Sequence, residues 1–207
     1  MVNNVIFDIG KVIAYVDYDE ALDALLDNEE DKKFVIDNVL NSPEWEGDDL
    51  IDYGFLSLDE FVSVLCDKFS NKKDDIIKGF IYGHYDYFKI NNKMLDLIKS
   101  LKNNGYKVYL LSNINEVVID MFTPSGLFDI VDGKVLSCEV HQVKPNDGIY
   151  KTLLDKYSIN PSESCFVDDR IDNIKKAETF GIKGLYVKPN NYDDVVSKLK
   201  DLNINVD

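Results

Sequence analysis

Positive charge is what this chain has least of. Lys and Arg total 23 against 38 Asp and Glu, leaving 207 residues with a formal charge of −15 and a pI near 4.5. Phosphate backbones and anionic membrane surfaces are bound through basic patches, so neither nucleic acid nor a membrane is expected as a partner. Cysteine is sparse too: Cys66, Cys138 and Cys165 are odd in number, widely spaced and without a CxxC pair. That argues against a disulfide framework or a thiolate metal site, and it fits buried thiols in a cytoplasmic protein. No run approaches the roughly 20 apolar residues a membrane span needs. The opening MVNNVIFDIGKV lacks the basic start of a signal peptide, and Asp8 interrupts its apolar run. Internal repeats and low-complexity tracts are missing as well.

What is present is the composition of a folded domain: 45% hydrophobic and 12% aromatic residues exclude disorder. The length suits one domain carrying an insertion, in which roughly 70% of the unfolded surface becomes buried. Four short apolar runs end in polar turn residues. They are Val5–Phe7 before Asp8, Tyr106–Leu111 before Ser112, Ser164–Val167 before Asp168, and Gly184–Val187. Continuous rather than alternating apolar character predicts strands covered on both faces. Between them lie helical periods: Met94, Leu95, Ile98 and Leu101, then Ile149 to Tyr157 with Pro145 at the first helical position, then Ile171 to Phe180 before Gly181. Strands alternating with helices predict an α/β fold, a Rossmann-like doubly wound parallel sheet.

Residues 15–88 break that rhythm and read as helices only, over Ala21–Leu26, Phe34–Leu40, Phe61–Phe69 and Ile76–Tyr87. Ser57-Leu58-Asp59-Glu60 has the form of a capping box opening the third of them. The expected organisation is a core of residues 1–14 and 89–207 with an inserted all-α cap over 15–88. The cap segment holds 20 acidic and 6 basic residues, a net −14 that is nearly the whole charge of the chain. A solvated outer face accounts for it most simply.

In open parallel sheets, ligands bind beyond the carboxyl ends of the strands. Those ends carry Asp8, Ser112 with Asn113, and Asp168 with Asp169, while Lys144 in VKPNDGIY sits in a loop returning to the same edge. Each alone is an ordinary cap, turn former or surface lysine. Together they put carboxylates, a hydroxyl and an ammonium where no core needs them. Clustered carboxylates repel unless a cation joins them, and hard oxygen donors suit Mg²⁺. A carboxylate can also take a phosphoryl group as a nucleophile, with lysine, hydroxyls and backbone N–H groups stabilising the transferred charge.

The motifs FDIGKVI, VYLLSNIN, VKPNDGIY and CFVDDRIDNI, in that order and over nearly the whole chain, resemble those of the haloacid dehalogenase superfamily, in particular its small phosphatases with a helical cap inserted after the first motif. The resemblance implies that Asp8 is the nucleophile and a metal ligand, that Gly10 lends its backbone carbonyl to the metal, and that Asp169 is a further ligand. It implies phosphate binding by Ser112 and Asn113, neutralisation of Asp8 and the phosphoryl oxygens by Lys144, and supporting roles around the metal for Asp168 and Asn173. The cofactor implied is Mg²⁺, and the partner a small phosphorylated metabolite bound by a monomer or homodimer.

The chain departs from the family pattern at Gly10, where the usual second aspartate acts as general acid and base. It resembles there a D-x-G subgroup of bacterial sugar-1-phosphate phosphatases, and Lys11 replaces the glycine or asparagine often found next. The leaving-group proton is then without an assigned donor, with Asp17 or a cap-held water as candidates. The expected activity is hydrolysis of a small phosphate monoester, a sugar phosphate such as a sugar 1-phosphate, through an aspartyl-phosphate on Asp8. Trp45, Tyr53, Tyr82, His84 and Tyr85 are the cap residues able to stack on or hydrogen-bond a sugar, although aromatics at helical spacing are more often core and a lone histidine is as easily exposed. Two other readings stay open: a metal-free haloacid dehalogenase, and a non-catalytic module binding phosphate and metal.

Overall fold

The apolar runs pair side by side. In a computed structural model, which describes residues 1–42, 51–69 and 73–207, β1 (Asn4–Phe7) lies at the centre of a five-stranded sheet. It pairs in parallel with β4 (Lys107–Ser112) on one side and β6 (Ser164–Asp168) on the other. Outside these run β5 (Gly133–Leu136) and β7 (Lys183–Tyr186), both parallel, giving the order β5-β4-β1-β6-β7. This is the expected α/β doubly wound sheet. Alternate strand residues feed two cores. Val5, Phe7, Val108, Leu110 and Val167 pack with α5 (Asn92–Asn103) and α10 (Tyr192–Asp201). Ile6, Tyr109, Leu111 and Phe166 pack with α8 (Asp147–Tyr157) and α9 (Ile171–Thr179).

Three details differ from the sequence reading. Strand β5 carries no apolar run, because GKVL lies at the sheet edge and buries only Val135 and Leu136. Pro145 does not open α8, whose N-cap is Asn146 and whose first residue is Asp147. A two-stranded antiparallel ribbon, β2 (Ala14–Val16) with β3 (Phe88–Ile90), joins the two ends of the helical segment.

Between these strands run α1 (Tyr18–Leu25), α2 (Glu29–Val35) continuing as a π-turn over Ile36–Leu40, α3 (Leu58–Lys68) and α4 (Asp74–Gly83). They enclose their own core of Leu22, Val35, Val39, Phe61, Leu65, Ile77 and Phe80. Ser57 caps α3 as its sequence predicts: the hydroxyl accepts from Glu60 N–H, and the Glu60 carboxylate accepts from Ser57 N–H. The three cysteines are free and buried. Among the described residues no helix is long and apolar enough to cross a membrane.

Candidate active site

The carboxyl ends of β1, β4 and β6 bring the sequence-predicted residues together. Asp8 follows β1 directly, and its Oδ1 accepts from Ile9 N–H at 2.7 Å, Ser112 Oγ at 2.7 Å and Lys144 Nζ at 2.9 Å. Lys144 Nζ also donates to Asp168 Oδ2 at 2.7 Å, so one ammonium bridges two carboxylates. Lys144 is 4% exposed and Asp168 fully buried. A buried cation is tolerable only with such partners. Burial alone would lower the Lys144 ammonium, but Asp168 and Asp8 overcome that and raise it above its ordinary value. The lysine is held in place by Asn113, whose side chain donates to the Lys144 carbonyl at 3.0 Å and accepts from its N–H at 2.8 Å. Asn113 thus lines the site while its amide is spent on the lysine loop.

The carboxylates divide by what already occupies them. Asp168 accepts from Arg170 N–H at 2.7 Å, from the Asn173 amide at 3.0 and 3.1 Å, and from Lys144, so both its oxygens are engaged. Among the described residues, Asp8 Oδ2 and the Asp169 carboxylate carry no such bonds to side chains. Asp8, Asp168 and Asp169 each place an oxygen within 4.8 Å of the others. Hard carboxylate oxygens at that spacing fit a small divalent cation. Burial pushes the Asp8 carboxyl up to about 6 against the pull of Lys144. Burial and the Asp168 charge raise Asp169 in the same direction. Bringing a cation to these oxygens relieves both costs. No backbone N–H among the described residues donates to the Gly10 carbonyl, which is therefore free to join them. Lys11 next to it sits at φ +55, the left-handed region that glycine and asparagine enter most easily.

These groups form the floor of a cleft of about 720 Å³ roofed by the helical segment, with Tyr18, His84 and Tyr85 among its lining. His84 is buried, stacked on Phe80 and tilted against Tyr85, and its Nδ1 bonds the Ile81 carbonyl at 2.8 Å. Burial lowers its pKa to about 4, so the ring is neutral. Tyr82 is exposed and donates to Asp59, away from the cleft lining. Tyr53 is drawn onto the core. Trp45 lies outside the described residues. Asp17 is not placed to give a proton: it caps α1 by accepting from Glu20 N–H and pairs with Lys89, and those bonds hold its carboxyl below the ordinary value.

One cleft residue carries no sequence signal. Asp52 is half-buried, lines the same cleft as Asp8 and makes no hydrogen bond or ion pair among the described residues. It is one of 20 acidic residues in its segment, and only the fold distinguishes it.

Comparison with known proteins identifies the family and the fold. Residues 3–181 match the haloacid dehalogenase-like hydrolases. The chain is 29% identical over 194 residues to a D-ribitol-5-phosphate phosphatase of Bacteroides thetaiotaomicron, covering 88% of this chain and 90% of that one. A HAD family enzyme of the same organism, solved in complex with magnesium and inorganic phosphate, superposes with a TM-score of 0.71 at 23% identity, over 92% of this chain and 96% of that one. The L-2-haloacid dehalogenase of Xanthobacter autotrophicus, with chloropropionic acid covalently bound, gives 0.63 at 16% identity, over 99% and 85%. At such identities the two structures speak for the fold.

Proposed function

The chain belongs to the haloacid dehalogenase-like hydrolases, and we propose that within them it is a Mg²⁺-dependent phosphatase of a small sugar or sugar-alcohol phosphate. The observation that carries the reading is Lys144 bridging Asp8 and Asp168 at 2.9 and 2.7 Å beside the unengaged carboxylate of Asp169. A dehalogenase acting without metal would leave the Asp169 carboxylate without a task. The relative acting on D-ribitol 5-phosphate supports a polyol or sugar carrier for the phosphate.

Asp8, Asp169 and the Gly10 carbonyl would hold Mg²⁺, which when bound draws the phosphoryl oxygens into position and offsets their charge. Ser112 and Lys144 fix Asp8 through Oδ1, which leaves Oδ2 as the attacking oxygen. Lys144 and the backbone N–H groups after Ser112 meet the charge that builds on the transferring group. Asp8 takes the phosphoryl group as an aspartyl-phosphate, and water releases it. Asp168 and Asn173 support the lysine rather than the substrate. Residues 15–88 close over the cleft as the cap of a cytoplasmic enzyme, in keeping with three free thiols.

The test is phosphate release from a panel of phosphorylated sugars and polyols with Mg²⁺ at about a hundredfold above its dissociation constant. Turnover that stops on chelation and returns with Mg²⁺ is expected. Phosphate binding without turnover over hours would identify a non-catalytic module, and chloride release from a 2-haloacid without metal would identify a dehalogenase.

A further inference from the structure

We infer that Asp52, carried in by the helical segment, is the group that protonates the leaving oxygen, the task left open by Gly10. The inference rests on the phosphatase reading above. Three carboxyl groups line the cleft among the described residues, Asp8, Asp52 and Asp169, and the first and last are committed to the phosphoryl group and the metal. Lys11, Lys144 and Arg170 are the basic side chains of the lining, and the buried His84 ring is a weak base already bonded to a carbonyl. Asp52 alone is an acid with no other partner.

Its position is built. The chain on its C-terminal side is fastened to the loop that carries Lys144. Tyr53 receives at its carbonyl a bond with His141 Nδ1 at 2.7 Å, and its hydroxyl accepts from Asn146 Nδ2 at 3.0 Å. Phe55 stacks on both Tyr53 and His141, at 5.4 and 5.3 Å between ring centroids. Gly54, at φ +71, presses so close to this loop that a Cβ would lie 2.6 Å from the Cys138 carbonyl. Residues 138, 141 and 146 bracket Lys144, so the same stretch of core positions both the lysine and Asp52. Charge supports the assignment. Burial pushes the Asp52 carboxyl up to about 6, the nearby Asp8 charge adds to this, and Lys144 opposes it. An acid of that strength is partly protonated at neutral pH, which suits proton transfer.

The chemistry closes. As Asp8 Oδ2 bonds to phosphorus, the bond from phosphorus to the leaving oxygen breaks with its electron pair on oxygen, and the Asp52 carboxyl gives that oxygen its proton to yield the alcohol. The Asp52 carboxylate then takes a proton from the water that attacks phosphorus. The Asp8–phosphorus bond breaks, returning the Asp8 carboxylate, inorganic phosphate and protonated Asp52. A donor of this kind removes the reason to expect sugar 1-phosphates alone, since a poor alkoxide leaving group, as in a polyol phosphate, is assisted too.

The experiment compares full-length wild type and Asp52→Asn, with Mg²⁺, on 4-nitrophenyl phosphate and ribitol 5-phosphate. The parameter is kcat/KM, which covers steps only through loss of the leaving group. Nitrophenolate departs without a proton and an alkoxide does not, so a missing acid separates the two substrates whereas a misplaced loop affects both. The amide fills the same volume. We expect a fall of about 10²–10⁴-fold on ribitol 5-phosphate and less than about tenfold on the aryl ester. Equal losses on both, or none on either, would overturn the assignment while leaving the phosphatase reading intact. Wild type that releases phosphate from neither substrate would remove that reading and this one with it.

Discussion

A single side chain, Lys144, ties the stability of this site to the chemistry proposed for it. Among the described residues its ammonium is the only cation bonded to these two buried carboxylates, so Lys144→Ala leaves Asp8 and Asp168 repelling each other away from water. Removing one partner of a buried pair costs about 3–5 kcal/mol, to be read from urea unfolding. Loss of its charge from the transition state should lower kcat/KM by about 10²-fold or more, and a loss below tenfold would show that the lysine does not meet the phosphoryl group. Asp8→Asn keeps shape and volume but offers no nucleophile, so turnover should vanish with the unfolding midpoint little changed. Gly10 offers a complementary change. A Cβ there meets nothing within 4 Å, so Gly10→Asp has room. In that background Asp52→Asn should cost at least tenfold less on an alkyl phosphate than it does alone.

The helices of residues 15–88 carry two separable terms. The Ser57–Glu60 box satisfies N–H groups at the start of α3, and Ser57→Ala should lower stability by about 1 kcal/mol in urea. His84 makes the segment sensitive to acid. Folding holds its pKa near 4, by burial, against an ordinary value of 6.5. Between those values the unfolded chain binds a proton that the folded one refuses, so stability is full above about pH 6.5 and is lost progressively toward pH 4. The cost between pH 7 and 5 is about 2 kcal/mol for a shift of this size. Unfolding free energies of wild type and His84→Gln at both pH values measure it: the variant should lose about that much less. Equal losses would mean that His84 titrates normally in the fold.

For the whole molecule, the −14 on residues 15–88 acts from a distance. Of its acidic residues, Asp52 alone lines the cleft among the described residues, and there Asp8, Asp52 and Asp169 are matched by Lys11, Lys144 and Arg170. Repulsion of multiply charged ligands, bisphosphates and nucleotides included, must therefore come through solvent, where the Debye length falls from about 30 Å at 0.01 M salt to about 8 Å at 0.15 M. Discrimination in kcat/KM between a monophosphate and a bisphosphate of one sugar should weaken as salt rises over that range. A ratio independent of salt would place the discrimination in the shape of the closed cleft.

The sequence by itself determined the sheet and the floor of the site. Buried strands must be apolar throughout, so β1, β4 and β6 announce themselves, and the strand-end rule then singles out Asp8, Ser112, Asp168 and Asp169, with Lys144 in a loop returning to the same edge. Strand β5 escaped because an edge strand buries half its residues and needs no apolar run. Tertiary structure alone decided how the groups share their work. Asp168 is saturated by Lys144, Arg170 and Asn173, while Asp169 beside it is not, a distinction that two adjacent aspartates cannot show in sequence. Residues 15–88 were legible as helices but not as the roof of the cleft. Which of its many acids meets the cleft depends on how Tyr53, Gly54 and Phe55 dock on His141 and Asn146, and no local pattern encodes a contact between residues some 90 positions apart.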